Sequence, residues 1–401
     1  MKNIITFISQ PYHRGGVTRW MVDMAIYYAN NGFEVSYITV CPVKRFISAP
    51  KSDTIIELLK QGDFTGNIIS QKVDTIFELS SASYKARIYK NLIQKFIAKD
   101  TAIIVSDDYA VWKGVASLAQ NYKMIGVVHC SVSEFYYQQC MEFKEQLSGI
   151  VVVSQRCSTK LKQSETPVLI QPCSINLNHG VINKIYVNQL NIVWAGRMEN
   201  SQKRILDFIP IALQLKELNF KFKINLIGDG SDKEKLENEV KKHNLSEYFV
   251  FHGWQQKAFI QDVLKNAHIY VLPSAYEGYP VAIMEALAEG CGIVSSRVSG
   301  IEDLEKDSET SPILKVFEIG NIDEATSAII SFKDSDFNKL STQAQKIAQK
   351  HFSMKNCADN YWNFISKEAC KTKIIKNAPL SVNLIKEHLL AYLRLIKFKL
   401  S

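Results

Sequence analysis

The chain has 401 residues, a formal net charge of +8, 46% hydrophobic and 22% charged residues. That is the composition of a folded protein of two or three ordinary domains, and it excludes a disordered chain, a collagen-like chain and a small disulfide-stapled scaffold. No apolar run approaches the roughly 18 residues needed to cross a bilayer, and the short apolar start at Ile4–Ile8 lacks a secretory cleavage site, so the expectation is a cytoplasmic protein.

Short apolar strands alternate with helical patterns from the start. Asn3–Ser9 reads as a strand, Gly15-Gly16 as a turn, Val17–Asn31 as a helix through Trp20, Met21, Met24, Ala25 and Tyr28, and Glu34–Val40 as the next strand. Ala102–Ser106, Met124–His129, Ile150–Ser154 and Val168–Gln171 follow as strands, with a helix over Ser83–Ile97. The polar stretch Cys173–Gln189 reads as a linker. A second series then begins: strand Ile192–Ala195, helix Ile205–Leu218, strand Phe222–Ile227 ending in Gly228-Asp229-Gly230, helix Asp232–Lys242, and strands Phe249–Phe251, Ile269–Leu272 and Ile293–Ser295. Helices dominate from Ile322. Such alternation predicts an α/β protein with two parallel, doubly wound, Rossmann-like sheets covered on both faces. Ligands of such sheets sit at the carboxyl ends of the strands, so two of them can share one cleft.

The eight cysteines contain no Cys-x-x-Cys pair and fit incidental thiols in a reducing compartment. Lys371, Lys373, Lys376, Lys386, Arg394, Lys397 and Lys399 against Glu387 alone place most of the net charge after residue 370. The nearly neutral body argues against a nucleic-acid partner. In the tail, Ile385, Leu389, Tyr392, Leu393, Ile396 and Leu400 form one apolar stripe at helical spacing. This basic amphipathic pattern over 371–401 suits an anionic membrane surface through 380–401, or a helix packed on protein.

The segment Ser274–Ser296 is the most informative. Glu277 and Gly278 follow a strand, Pro280 fits the first turn of a new helix, and Glu285 falls in its second turn. The free N–H groups near Tyr279, Val281 and Ala282 make an anion site suited to a diphosphate, with a carboxylate on either side. Glu277-Gly278-Tyr279-Pro280 and Glu285-Ala286 resemble the signature of retaining GT-B glycosyltransferases of the "glycosyl transferases group 1" family (glycosyltransferase family 4). The resemblance implies two facing Rossmann-like domains: 1–175 on the acceptor side, 176–351 binding a nucleotide sugar, and helices at about 352–370 crossing back. It implies that Glu277 contacts the donor sugar and Glu285 the ribose.

Val193-Trp194-Ala195-Gly196-Arg197-Met198 with Lys203 is similar to the family's strand-Gly-Arg…Lys segment, whose two cations bind the donor diphosphate. Fixed cations there favour the departing charge over the ground state. Arg204 is adjacent, and either it or Lys203 points inward. Tyr12–Val17, with Gly15 and Gly16, resembles the loop over the donor, and Arg14 and Arg19 beside it are candidates for an anionic acceptor. His129 ends a strand where the family has a histidine near the sugar; the other role for it is a structural hydrogen bond. Gly228 lies in a turn near the donor, and Trp254, after Phe251-His252-Gly253, either stacks on a base or packs in the core. Ser299-Gly300-Ile301-Glu302 resembles a Gly-Gly-x-x-Glu loop near the phosphates, with Ser299 in place of the first glycine. Gly292 stands where the family has proline. Asp107 and Asp108 read as helix caps or acceptor contacts.

The implied activity is retaining transfer of a sugar from a nucleotide-diphosphate sugar to a saccharide or lipid-linked saccharide in bacterial surface polysaccharide synthesis. No metal or other cofactor is expected. The alternatives are a soluble transferase on a small acceptor and a non-catalytic nucleotide-sugar-binding subunit.

Overall fold

The computed structural model describes residues 4–11, 16–42, 54–73, 81–106, 109–129, 140–161, 165–175, 177, 180, 182–186 and 188–369. Gly15 with 12–14, Asp107, Asp108 and the basic tail from 370 lie outside the described residues.

The first series runs β1 (Ile4–Ile8), α1 (Gly16–Asn30), β2 (Glu34–Pro42), α2 (Ile55–Gln61), β3 (Asn67–Val73), α3 (Ala82–Phe96), β4 (Ala102–Val105), α4 (Tyr109–Ala116), β5 (Lys123–Val128), β6 (Leu147–Val152), α5 (Gln155–Ser158) and β7 (Val168–Ile170). Its sheet has the order β3-β2-β1-β4-β5-β6-β7, and every pairing is parallel. The central strands β4 and β6 are buried along their whole length, which is why they read as continuous apolar runs.

The second series runs β8 (Leu190–Ala195), α6 (Asn200–Lys203), α7 (Phe208–Glu217), β9 (Phe222–Ile227), α8 (Lys233–Lys242), β10 (Phe249–Gly253), α9 (Lys257–Asn266), β11 (Ile269–Leu272), α10 (Val281–Ala288), β12 (Gly292–Ser296), α11 (Ile301–Glu305), β13 (Leu314–Phe317) and α12 (Ile322–Ile330). The order is β10-β9-β8-β11-β12-β13, again parallel. The expected helix Ile205–Leu218 starts instead as a 3₁₀ turn at Ile205–Asp207, because Arg204 adopts a left-handed φ of 48° that ends α6. Gly292, where proline was expected from the resemblance, has a packing reason. A Cβ there would stand 2.7 Å from the ring of buried Phe332.

Two long helices close the described chain, α13 (Phe337–Phe352) and α14 (Met354–Lys367). The last returns to the first sheet. Tyr28 on α1 donates its hydroxyl to Ala358 O at 2.6 Å, Trp20 and Tyr361 rings lie 5.6 Å apart, and Phe364 occupies the space that a side chain at Gly149 would need. The two passages between domains run side by side: Ile175 N donates to Phe352 O at 3.0 Å, and Ile175 bridges Ser353 in parallel.

The polar linker is strapped to the second domain. Ser341 donates to Ile182 O, Lys184 N to Asn338 Oδ1, and the buried Lys184 ammonium to Leu264 O at 2.7 Å. Burial lowers the pKa of that lysine. The six described cysteines outside 130 and 370 are free thiols.

Phe364 is 2% exposed and fills the gap left by Gly149. Phe364→Ala is expected to cost about 3–5 kcal/mol of stability, read as a lowered midpoint in denaturant unfolding.

Candidate active site

The strand order of the second sheet reverses between β8 and β11, and the loops after these two strands carry the candidate residues. The strands pair over only two positions, Ile269 with Ile192 and Tyr270 with Val193. Beyond that they splay, and the buried Tyr270 hydroxyl fills the gap. It donates to Ala195 O at 2.9 Å and accepts from Ala195 N at 3.1 Å. A crevice thus opens at the switch point without leaving the Ala195 backbone groups unpaired.

Lys203 ends α6 and reaches across the crevice to Glu277, with Nζ 2.6 Å from Oε1. Glu277 is 7% exposed, and Ser274 donates a second hydrogen bond to the same oxygen at 2.8 Å. Backbone bonds hold the two loops together: Ala275 N donates to Gln202 O at 2.8 Å. The Gln202 side chain donates to Tyr276 O and accepts from Arg197. Lys203 is therefore the inward cation. Arg204 turns away to Asp207, with Nε 2.8 Å from Oδ2. Arg197 is largely exposed and rests 3.0 Å from Glu199. Sequence reasoning did not find Ser274, Gln202 and Tyr270; their partners are 3, 74 and 75 residues away, and only the Ser274 spacing was readable locally.

Gly278 and Tyr279 are buried beside Glu277. Pro280 takes the N-cap position, one residue before the expected first turn, and α10 starts at Val281 with no side-chain cap. Its N-terminal N–H groups face the crevice uncapped, the arrangement that favours an anion. Glu285 is in the second turn. Burial raises its carboxyl pKa; Lys257 opposes this, and Glu289 and Asp23 of the first domain add to it.

Three glycine turns interlock under the site. Gly228 has φ 133°, and a Cβ there would stand 1.8 Å from Gly196 O. Gly196 N donates to Ile227 O, Met198 N to Asp229 O, and Gly228 N to Gly253 O at 2.7 Å. Trp254 follows Gly253 and is 72% exposed, so it is no core residue.

The first domain meets this site at Gly16, the first residue of α1. A Cβ on Gly16 would lie 3.4 Å from the Val281 side chain, so the starts of α1 and α10 face each other across the cleft. Arg19 is engaged by Asp23 on its own helix at 2.9 Å. His129 follows β5, and its ring lies edge-on to Trp20 at 5.2 Å. Its Nδ1 is 3.5 Å from Cys173 Sγ, while Nε2 is buried with no hydrogen-bond partner. Burial lowers the imidazole pKa to about 3 and pushes the Cys173 thiol up. A protonated thiol donates to Nδ1, which assigns the ring hydrogen to Nε2. Glu302, expected near the phosphates, instead pairs with Arg156 of the first domain. No cluster of His, Cys, Asp and Glu among the described residues is arranged to hold a metal ion.

Residues 189–334 match the family model described as Glycosyl transferases group 1. The lipopolysaccharide 1,6-galactosyltransferase of Escherichia coli K12 is 33% identical over 116 residues, 28% of this chain and 32% of that protein. The chain thus aligns with about a third of the length of this relative and of its Salmonella typhimurium counterpart. The 2-deoxystreptamine N-acetyl-D-glucosaminyltransferase of Niallia circulans is 24% identical over 302 residues, 67% of this chain and 77% of that one. Among solved structures, S. aureus TarM in complex with fondaparinux, alpha-GlcNAc-glycerol and UDP superimposes with a TM-score of 0.72 at 14% identity, covering 92% of this chain and 100% of that chain. HepE of Anabaena with UDP and glucose gives 0.69 at 15%, covering 92% and 100%. The fold is GT-B, and its second domain carries the group 1 glycosyltransferase match.

Two outcomes test this geometry. Gly228→Ala is expected to cost about 2 kcal/mol or more through strain and backbone collision, seen as a lowered thermal midpoint. The His129 ring is expected to stay neutral with the hydrogen on Nε2 from about pH 5 to 8, seen as flat nitrogen shifts of that tautomer in an NMR titration.

Proposed function

We propose that the chain is a retaining, metal-independent glycosyltransferase. It moves a sugar from a nucleotide-diphosphate sugar to a saccharide or lipid-linked saccharide acceptor in bacterial surface polysaccharide synthesis. The observation that carries this reading is the Lys203–Glu277 pair at the switch point, beside the uncapped start of α10. A cation, a buried carboxylate and convergent N–H groups suit a substrate with a charged diphosphate and a neutral, hydroxyl-rich sugar.

In the proposed reaction the diphosphate lies at the start of α10, near Arg197 and Lys203. Glu277 accepts hydrogen bonds from sugar hydroxyls and Glu285 from the ribose. The exposed Trp254 indole, which follows Gly253 next to the Gly228 turn, offers a stacking face for the base. The bond between the anomeric carbon and the phosphate oxygen breaks, and negative charge grows on the departing diphosphate. Arg197, Lys203 and the helix N–H groups lie around that charge in the proposed complex and stabilise it more than the intact donor. The acceptor oxygen attacks the same face of the sugar, and its proton passes to the departing phosphate oxygen. The neutral His129, with its hydrogen on Nε2, donates to a sugar or phosphate oxygen at the cleft. Gly16 lets the start of α1 come close to Val281 at the start of α10.

Of the relatives named above, the lipopolysaccharide 1,6-galactosyltransferase supports a saccharide acceptor. No helix among the described residues is long and apolar enough to cross a membrane. Contact with an anionic lipid surface is proposed for the basic tail 380–401, which lies outside the described residues, on the strength of its charge pattern.

The test is nucleotide release from UDP-, GDP-, ADP- and CDP-sugars with EDTA present. Release from one donor, abolished in Glu277→Ala, is the expected result. Arg197→Ala removes an exposed side chain and is expected to fold normally while slowing release about 100-fold. Release that requires added metal would overturn metal independence. Absence of both release and nucleotide binding by calorimetry would overturn the reading itself.

A further inference from the structure

A second set of contacts joins the domains away from the reacting groups. Ser154 follows β6 and caps α5; Ser299 follows β12. Their hydroxyls meet at 2.7 Å, and both side chains are fully buried, 0% and 1% exposed. Gln155 N, at the start of α5, donates to Asp303 Oδ2 at 2.7 Å. Arg156 pairs with Glu302 and donates to Arg297 O at 3.3 Å. A serine hydroxyl, a helix N-terminus and a guanidinium on one domain thus meet a hydroxyl and two carboxylates on the other.

This contact is tied to the donor loop through one side chain. Gly300, next to Ser299, has φ 88°, and a Cβ there would stand 2.6 Å from the Tyr279 ring. Tyr279 is two residues from Glu277 and is 8% exposed. Its ring also meets Phe352 at 5.5 Å and 72°. Phe352 is the residue whose carbonyl accepts from Ile175 where the chain crosses between domains. Tyr279 therefore stands between the Ser299–Gly300 loop, the crossing point and the donor carboxylate.

We infer that Ser154, Gln155 and Arg156 with Ser299, Glu302 and Asp303 form an interdomain clasp whose engagement sets the position of Tyr279 and, through it, of the Glu277–Pro280 loop. These are positioning residues: none touches the reacting atoms. Ser299 stands where the resembled loop has glycine, and its hydroxyl supplies the buried half of the clasp. A packed interior transmits such a displacement because it has little free volume to absorb it. The inference rests on the glycosyltransferase reading for its effect on turnover, while the clasp itself is a property of the domain arrangement.

The experiment uses the full chain and three variants: Arg156→Glu, Glu302→Arg and the two together. Both side chains are about a third exposed, so each variant is expected to fold, as thermal unfolding will check. Each single reversal is expected to lower transfer turnover about tenfold or more, while affinity for the nucleoside diphosphate, bound by the second domain, changes less than about twofold. The double reversal restores turnover. Small-angle scattering of the unliganded protein supplies a readout independent of activity: each single reversal expands the molecule, and the swap contracts it again. Ser299→Ala is expected to shift scattering and turnover in the same direction as the single reversals, without changing charge. Unchanged scattering in all single variants, or a swap that fails to recover what each single reversal loses, overturns the clasp. A wild-type chain that neither binds nor cleaves any nucleotide sugar overturns the glycosyltransferase reading; the scattering comparison then still decides the clasp.

Discussion

A carboxylate that is 7% exposed is costly unless its oxygens have partners. Glu277 obtains them from Lys203 and Ser274, and each partner comes from a different piece of chain. Lys203 is placed by the short α6 after β8, and Ser274 by the loop after β11. That one ion pair can form only if the two strands are neighbours and yet diverge at their ends. The Tyr270 hydroxyl makes the divergence tolerable by bonding both polar groups of Ala195. The local architecture of the second domain is thus built around keeping one acidic group buried at the mouth of a crevice.

The two domains contribute unequally. The second presents charge, carboxylates and the interlocked turns at Gly196, Gly228 and Gly253, where backbone meets backbone and no side chain fits. The first presents a helix start at Gly16, a neutral imidazole and the Arg156 side of the clasp. Rigid turns hold the groups at the crevice of the second domain, whereas the first domain's part is to face them across the cleft. Such a division suits a reaction in which one substrate is held before the other arrives.

Most of the sheet strands were legible because parallel strands buried on both faces are plain apolar runs, as at β4, β8 and β11. The edge strands β3 and β13 were not: Asn67–Val73 is largely exposed and polar, and Leu314–Phe317 is only half-buried and carries Lys315. Among candidate site residues, Arg197 with Lys203 and Glu277 with Glu285 were singled out because each pair stands in one short segment, and the structure brings Lys203 to Glu277. What the sequence left open was decided by long-range packing. Lys203 rather than Arg204 faces inward because Arg204 itself is left-handed and turns the chain away after Lys203. Trp254 is exposed because it follows an edge strand. The pairing of Ser154 with Ser299 spans 145 residues and has no local signal.

The return of α14 to the first sheet has a consequence for how the chain is made. Trp20, Tyr28 and Gly149 are covered by Tyr361, Ala358 and Phe364, which leave the ribosome only after the strands of the second sheet. The domain that begins first is therefore finished last, after the whole of its neighbour has emerged. During that interval the face later covered by α14 has no cover of its own, and the nascent first domain must wait, incompletely packed, for a helix encoded some 200 residues downstream of its final strand.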